Sequence, residues 1–162
     1  MEKQIIITGG LGFIGQHLVR RLIEEYFYPI IVDDLSVGKL ENLKILPKSK
    51  YTFIKCDITN GEKLERKLTD FKPETIIHLA AVHFIPYCNE NPLRAVLVNT
   101  FGTQVLLNIA LKKKIKNFLF ISSGAIYKPS LRSHTEKDLL EPVDIYGVSK
   151  KLAEEIIQFY SK

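Results

Sequence analysis

Thr8-Gly9-Gly10-Leu11-Gly12-Phe13-Ile14-Gly15 joins a β-branched apolar run, Gln4 to Thr8, to a segment of helical periodicity. From Phe13 to Tyr26 the residues Ile14, Leu18, Leu22 and Ile23 fall on one helical face, with Gln16, Arg20, Arg21, Glu24 and Glu25 elsewhere. A glycine-rich turn leading from a strand into a helix suits a phosphate. Gly9 permits a tight turn, Gly12 lets the backbone approach a pyrophosphate, and Gly15 lets helix and strand pack closely. The first helical N–H groups, those of Phe13, Ile14 and Gly15, would face the anion.

Downstream, Tyr28-Pro29 interrupts the pattern and Ile30-Ile31-Val32 reads as a second short strand ending in Asp33-Asp34. Asp33 stands 18 residues beyond Gly15, about where a dinucleotide-binding fold places the carboxylate that accepts from the adenosine ribose. A carboxylate there repels a 2′-phosphate, so NAD is expected over NADP. Lys39 to Leu46 reads as a short helix, Tyr51 to Lys55 as a third strand, and Thr59 or Asn60 as the cap of a polar helix through Asp70. Thr75 to Leu79 is a fourth strand running into Ala80-Ala81, whose small side chains admit a ligand close to the backbone. Asn91-Pro92 opens a long helix, Asn117 to Ile121 is a fifth strand closed by Ser122-Ser123, and Val143 to Tyr160 is a final helix after a loop from Lys128 to Pro142.

Strands alternating with helices, without repeats or low-complexity segments, predict an α/β fold: a doubly wound parallel sheet of about five strands. At 162 residues the expectation is one domain, 1–162. The ligand crevice should lie at the carboxyl ends of the strands, where the glycine turn, Asp33, Asp57, Ala80 and Ser123 all fall.

Totals narrow the function classes. The chain is 46% hydrophobic and 25% charged, ordinary for a globular protein, which excludes disordered and fibrous classes. The net charge of +5 is mild, and its densest run, Lys112-Lys113-Lys114 with Lys116, lies at a helix end where lysines complement the dipole, so no nucleic acid is expected. No apolar run of about 18 residues and no signal sequence is visible, so the expectation is a cytoplasmic protein without a membrane partner. Cys56 and Cys88 have neither CxxC spacing nor a disulfide framework, and no cluster has metal-ligand spacing.

The last third supplies candidate chemistry. Tyr146 and Lys150 are four residues apart and share a helix face. An ammonium nearby favours the phenolate and makes a tyrosine a usable acid or base near neutral pH. Ser123 could donate a hydrogen bond to the same substrate oxygen. Taken singly these residues have plainer readings: Lys150 pairing with Glu154, and Ser123 capping a turn.

Together these motifs resemble the extended short-chain dehydrogenase/reductase family, and within it the NAD-dependent sugar-nucleotide epimerases and dehydratases, most of all those acting on UDP-hexoses at C4. The resemblance rests on Thr8 to Gly15, Asp33-Asp34, Cys56-Asp57-Ile58, His78-Leu79-Ala80-Ala81, Asn99 to Thr103, and Tyr146-Gly147-Val148-Ser149-Lys150. It implies that Gly9, Gly12, Phe13, Ile14, Gly15, Asp33, Asp34, Asp57, Ile58, Leu79, Ala80, Ala81, Asn99, Tyr146 and Lys150 contact NAD. It makes Tyr146 the catalytic acid/base, Lys150 the residue that holds the nicotinamide ribose and tunes Tyr146, and Ser123 the hydrogen-bond partner of the reacting oxygen. A nucleotide sugar is the implied substrate, with a homodimer formed through helices like 92–112 and 144–160.

Some positions depart from the family pattern. Gly124-Ala125 follows Ser123 where dehydratases carry Asp-Glu, which disfavours dehydration. Lys128 stands where glycine is common, Thr100-Phe101 replaces the usual pair after Asn99, and His83 takes the place of a lysine near the cofactor. Family members continue into a C-terminal substrate domain, so the expectation is an N-terminal NAD-binding part of a longer protein. The alternatives are a non-catalytic NAD-binding module and another NAD-dependent sugar-nucleotide oxidoreductase or decarboxylase.

Overall fold

The computed structural model describes residues 2–161. The chain divides into two compact units: residues up to Ala80 together with Val105–Ile121, and Ala81–Gln104 together with residues from Ser122 onward. The first holds a five-stranded, fully parallel sheet: β1 (Lys3–Thr8), β2 (Phe27–Asp33), β3 (Thr52–Lys55), β4 (Thr75–His78) and β5 (Asn117–Phe120). Its order, β3-β2-β1-β4-β5, reverses between β1 and β4, which is the Rossmann arrangement and its ligand-binding switch point.

Ile5, Ile6 and Ile7 are all buried, as are Ile30, Ile31 and Val32, because helices leave neither face of a parallel sheet to water. Helix α1 (Phe13–Glu24) packs through Gly15, Val19, Leu18, Leu22 and Ile23. Ile14, expected on that face, is 61% exposed. It lies to one side of the Gly15–Val19 line along which the helix is buried. The helix stops at Glu24 rather than Tyr26, because Tyr26 adopts a left-handed backbone (φ 62°) that ends the turn.

Three other expectations are corrected. Tyr28-Pro29 does not interrupt β2 but lies inside it, with Pro29 buried opposite Ile5. The carbonyl of Val32 accepts from Gly9 on the β1 side and that of Asp33 accepts from Cys56 on the β3 side. Backbone direction alternates along a strand, so Pro29 faces β3, whose pairing begins only at Ile30. No ladder bond is lost. Leu40–Leu43 forms a single 3₁₀ turn instead of a helix through Leu46. Helix α2 (Gly61–Lys67), capped by Asn60 through Lys63 N at 3.1 Å, ends three residues before Asp70.

The second unit holds α3 (Ile85–Glu90), α4 (Pro92–Val96), a π turn (Leu97–Phe101) and α6 (Ile145–Tyr160). Helix α5 (Gly102–Lys113) continues directly from the π turn. Pro92–Lys113 is long and apolar enough to cross a membrane by length and composition, and 56% of its most apolar 18-residue window is buried within the protein, as in a core helix. The basic run closing α5 is tied down: Lys112 pairs with Glu65 at 2.8 Å and Lys113 donates to the Phe71 carbonyl at 3.2 Å.

Candidate functional site

The turn after β1 is built by three glycines in different ways. Gly9 has φ 67°, and a Cβ there would lie 2.7 Å from Ala80 N, so the turn and the end of β4 approach as only glycine allows. A Cβ on Gly15 would overlap the Gly9 carbonyl oxygen, which fixes helix against turn. Gly12 differs: a Cβ would meet only the Gly9 oxygen, at 3.3 Å, and the rest of its surroundings are open. Gly12 is the N-cap of α1 and no side chain caps that helix, whose first N–H groups therefore border the open space. A cradle closed behind and open in front fits a dinucleotide pyrophosphate.

Asp33 ends β2 and is 7% exposed. Its oxygens accept from Leu11 N at 3.0 Å and Leu35 N at 2.9 Å, and a carboxylate retains further lone pairs after two such bonds. The Leu11 carbonyl in turn accepts from Asn42 Nδ2 at 2.9 Å. The middle of the phosphate turn is thus held from both sides by the loop after β2. Asp34 closes that loop by accepting from Ser36 N and Oγ, and Asp57 makes the equivalent turn after β3 with Thr59 N and Oγ1. Ile58 beside it is buried.

At the switch point, Thr8 Oγ1 and His78 Nδ1 are 2.6 Å apart, and Ala80 N donates to the same hydroxyl at 3.2 Å. The two strand ends that frame the crevice are stitched through one buried threonine. Leu79 and Ala80 follow directly, partly exposed.

In the second unit, Ser123 opens a 3₁₀ turn (Gly124–Ile126) and its Oγ accepts from Ala125 N at 3.1 Å. It does cap a turn, as the plainer reading held, and its O–H is left as a donor. Asp144 caps α6 through Gly147 N at 2.8 Å. A Cβ on Gly147 would overlap the Ala125 carbonyl oxygen, so the Ser123 turn and the Tyr146 turn meet backbone to backbone at this glycine. Tyr146 is partly buried and Lys150 is 3% exposed one turn further along. Burial pushes the Lys150 ammonium down from its usual 10.5 to about 8, opposed by Glu154. A lysine poised there can hold or release a proton near neutral pH.

Asn99, expected beside the cofactor, is 1% exposed and its amide serves the protein itself. Its Oδ1 accepts from Val82 N at 2.8 Å, and its Nδ2 donates to Val82 O and Ser149 Oγ, both at 2.9 Å. Ala81 precedes the segment so held. Sequence reasoning missed Ser149, Gly147 and the Thr8–His78 pair. Ser149 was visible between Tyr146 and Lys150, but nothing local marks its partner 50 residues away. Cys56 and Cys88 are buried free thiols, and burial raises both. Among the described residues no group of His, Cys, Asp or Glu could hold a metal ion.

Residues 5–162 match the family model described as the NAD dependent epimerase/dehydratase family. The UDP-glucose 4-epimerase of Dictyostelium discoideum is 33% identical over 98% of this chain and 47% of its own length. The UDP-glucose 4-epimerase of Thermus thermophilus in complex with NAD superposes with a TM-score of 0.90 at 30% identity, covering 98% of this chain and 50% of that one. The Thermotoga maritima UDP-glucose 4-epimerase with UDP-glucose gives 0.89 at 33% identity, covering 98% and 51%. The chain spans about half the length of the curated relatives it matches.

Proposed function

Since the chain belongs to the NAD-dependent epimerase/dehydratase family, we propose that it is the NAD-binding part of a sugar-nucleotide epimerase, acting at C4 of a UDP-hexose. The observation that carries this reading is the cradle at Gly9, Gly12 and Gly15 together with a buried Asp33 at the end of β2. The relatives with NAD and with UDP-glucose support the ligand classes.

Residues 1–162 would form one NAD-binding domain. Gly9, Gly12, Phe13, Ile14 and Gly15 would take the pyrophosphate, Asp33 and Asp34 the adenosine ribose, and Asp57 and Ile58 the adenine side. Leu79, Ala80 and Ala81 would line the path onward, Asn99 would serve NAD only by holding the Val82 segment beside it, and Lys150 would hold the nicotinamide ribose. NAD, when bound, supplies a reversible hydride acceptor. Tyr146 Oη would take the proton of the sugar hydroxyl and return it, with Lys150 stabilising the phenolate and the Ser123 hydroxyl donating to the same oxygen. Gly124 and Ala125, neutral and small, offer no acid or base for eliminating water, which favours epimerisation over dehydration.

We place the protein in the cytoplasm, without nucleic-acid or membrane partners, as a homodimer. Leu93, Leu97 and Phe101 on one helix and Leu152 and Phe159 on another are exposed, which supports self-association, and light scattering tests it. A non-catalytic NAD module is the second reading, for which the glycine cradle alone suffices. Calorimetric titration with NAD, followed by incubation with UDP-glucose and NAD, separates the two. Absence of NAD binding sinks both, and binding without formation of the C4 epimer, by a full-length version as well, leaves the module.

A further inference from the structure

We propose that Ser149 is a positioning residue for the Tyr146–Lys150 pair, its buried hydroxyl locking the first turns of α6 onto the π turn at Leu97–Phe101. The inference rests on the reading above, in which Tyr146 and Lys150 do the chemistry.

Ser149 is fully buried and lies one residue before Lys150 and three after Tyr146. Its Oγ donates to the Tyr146 carbonyl at 2.7 Å and accepts from Asn99 Nδ2 at 2.9 Å. Its own carbonyl accepts from Thr100 Oγ1 at 3.0 Å. Asn99 and Thr100 are neighbours in sequence, yet both reach the same residue of α6, and both belong to the π turn. Asn99 is braced in turn, because its carbonyl accepts from Thr103 Oγ1 at 2.6 Å and its amide is clamped on Val82. The chain of contacts therefore runs from a rigid, buried amide through one hydroxyl to the backbone of Tyr146.

Filling a core position does not require that hydroxyl. One turn along the same face, Ala153 is equally buried and packs with a methyl group alone. The polar side chain occurs only at the turn that carries both candidate catalytic groups. A serine bonding back to the preceding turn is slightly unfavourable to a helix interior, so its presence there points to the tertiary bond. Displacing a catalytic pair by a fraction of an ångström is costly to rate while leaving binding nearly intact.

The test is Ser149→Ala, read in two ways. Titration of ¹³C-methylated lysines by NMR, with Lys150 identified through Lys150→Arg, follows the site whether or not the protein turns over substrate. Lys150 should titrate near 8 in the parent and move upward by about half a unit or more in Ser149→Ala, as a loosened turn admits water. Steady-state assay with UDP-glucose should show kcat lower by about tenfold with KM within about twofold. Asn99→Ala should act on the same bridge, so the two substitutions combined should shift Lys150 less than the sum of each. If Ser149→Ala does not fold, Thr100→Val loosens the same residue from its carbonyl side and should move Lys150 in the same direction. An unchanged Lys150 titration, with thermal stability lowered, would make Ser149 a core residue and overturn the inference. A parent protein that binds no NAD and converts no sugar defeats the functional reading instead, and the lysine titration still decides the positioning role.

Discussion

Asp33 Oδ2 accepts a hydrogen bond from Leu11 N at 3.0 Å, so the carboxylate assigned to the ribose also holds the centre of the phosphate turn. One side chain would thus link the two ends of the proposed adenosine diphosphate site. Asp33→Ala should therefore do more than remove a ribose contact. It strands the buried N–H of Leu11 and the half-buried N–H of Leu35, at a cost of about 1–3 kcal/mol in urea denaturation, and weakens NAD binding by calorimetry. Asp33→Asn keeps one acceptor oxygen and should fall between parent and alanine variant. Unchanged NAD affinity in Asp33→Ala would refute the ribose assignment.

The glycines separate folding from binding. Gly15→Ala drives a methyl group into the Gly9 carbonyl and within 2.6 Å of Gly10 Cα, both backbone, so stability should drop by about 1–3 kcal/mol or more. Gly12→Ala meets only one atom, at 3.3 Å, and should melt close to the parent temperature while losing NAD affinity, because the methyl group fills the space above the turn. Equal NAD affinity in Gly12→Ala and parent would show that the phosphates lie elsewhere.

Lys150 predicts an unusual dependence of stability on pH. Its folded value of about 8 lies below the 10.5 of an exposed lysine, so folding disfavours the charged form. Below pH 8 the penalty for the buried ammonium is fully present. From pH 8 to 10.5 the unfolded lysine holds a proton that the folded one has released, so this group's contribution becomes steadily less destabilising as pH rises. The full span is on the order of 3 kcal/mol. Denaturation midpoints across that range should show the rise in the parent and a flatter profile in Lys150→Met. Parallel profiles would show that Lys150 is ordinary in the folded protein.

Tyr146→Phe deletes one hydroxyl at the start of α6 without touching the Asp144 cap or the Ser149 bridge. NAD affinity and melting temperature should hold, while kcat for C4 epimerisation falls by about 10²–10⁴, the range for loss of a general acid/base. A fully active phenylalanine variant would remove Tyr146 from the chemistry.

The parallel sheet of five strands and the glycine turn were legible because their signals are local: an apolar strand, a turn that demands glycine, and a helix with a 3.6-residue period. The helix carrying Tyr146 and Lys150 was legible from its apolar periodicity, and their four-residue spacing puts them on one side of it. Pro29 misled, because whether a proline breaks a strand depends on which neighbour it faces, and that is a property of the assembled sheet. Ile14 misled for a related reason: periodicity gives an apolar stripe on α1 but not which edge of it the sheet covers. The Asn99–Ser149 bridge and the Thr8–His78 stitch span 50 and 70 residues, distances over which no pattern in the chain pairs a donor with its acceptor.

The π turn at Leu97–Phe101 makes this helix sensitive to length. Each residue turns an α-helix by about 100°, so deleting one residue there would rewind the wide turn into ordinary helix and swing Asn99 and Thr100 away from Ser149 by roughly that angle. The exposed loop at 128–137 carries no such bookkeeping. Insertions and deletions that the loop absorbs without effect should be poorly tolerated between 97 and 101, where the count of residues, as much as their identity, decides which side chains reach Ser149.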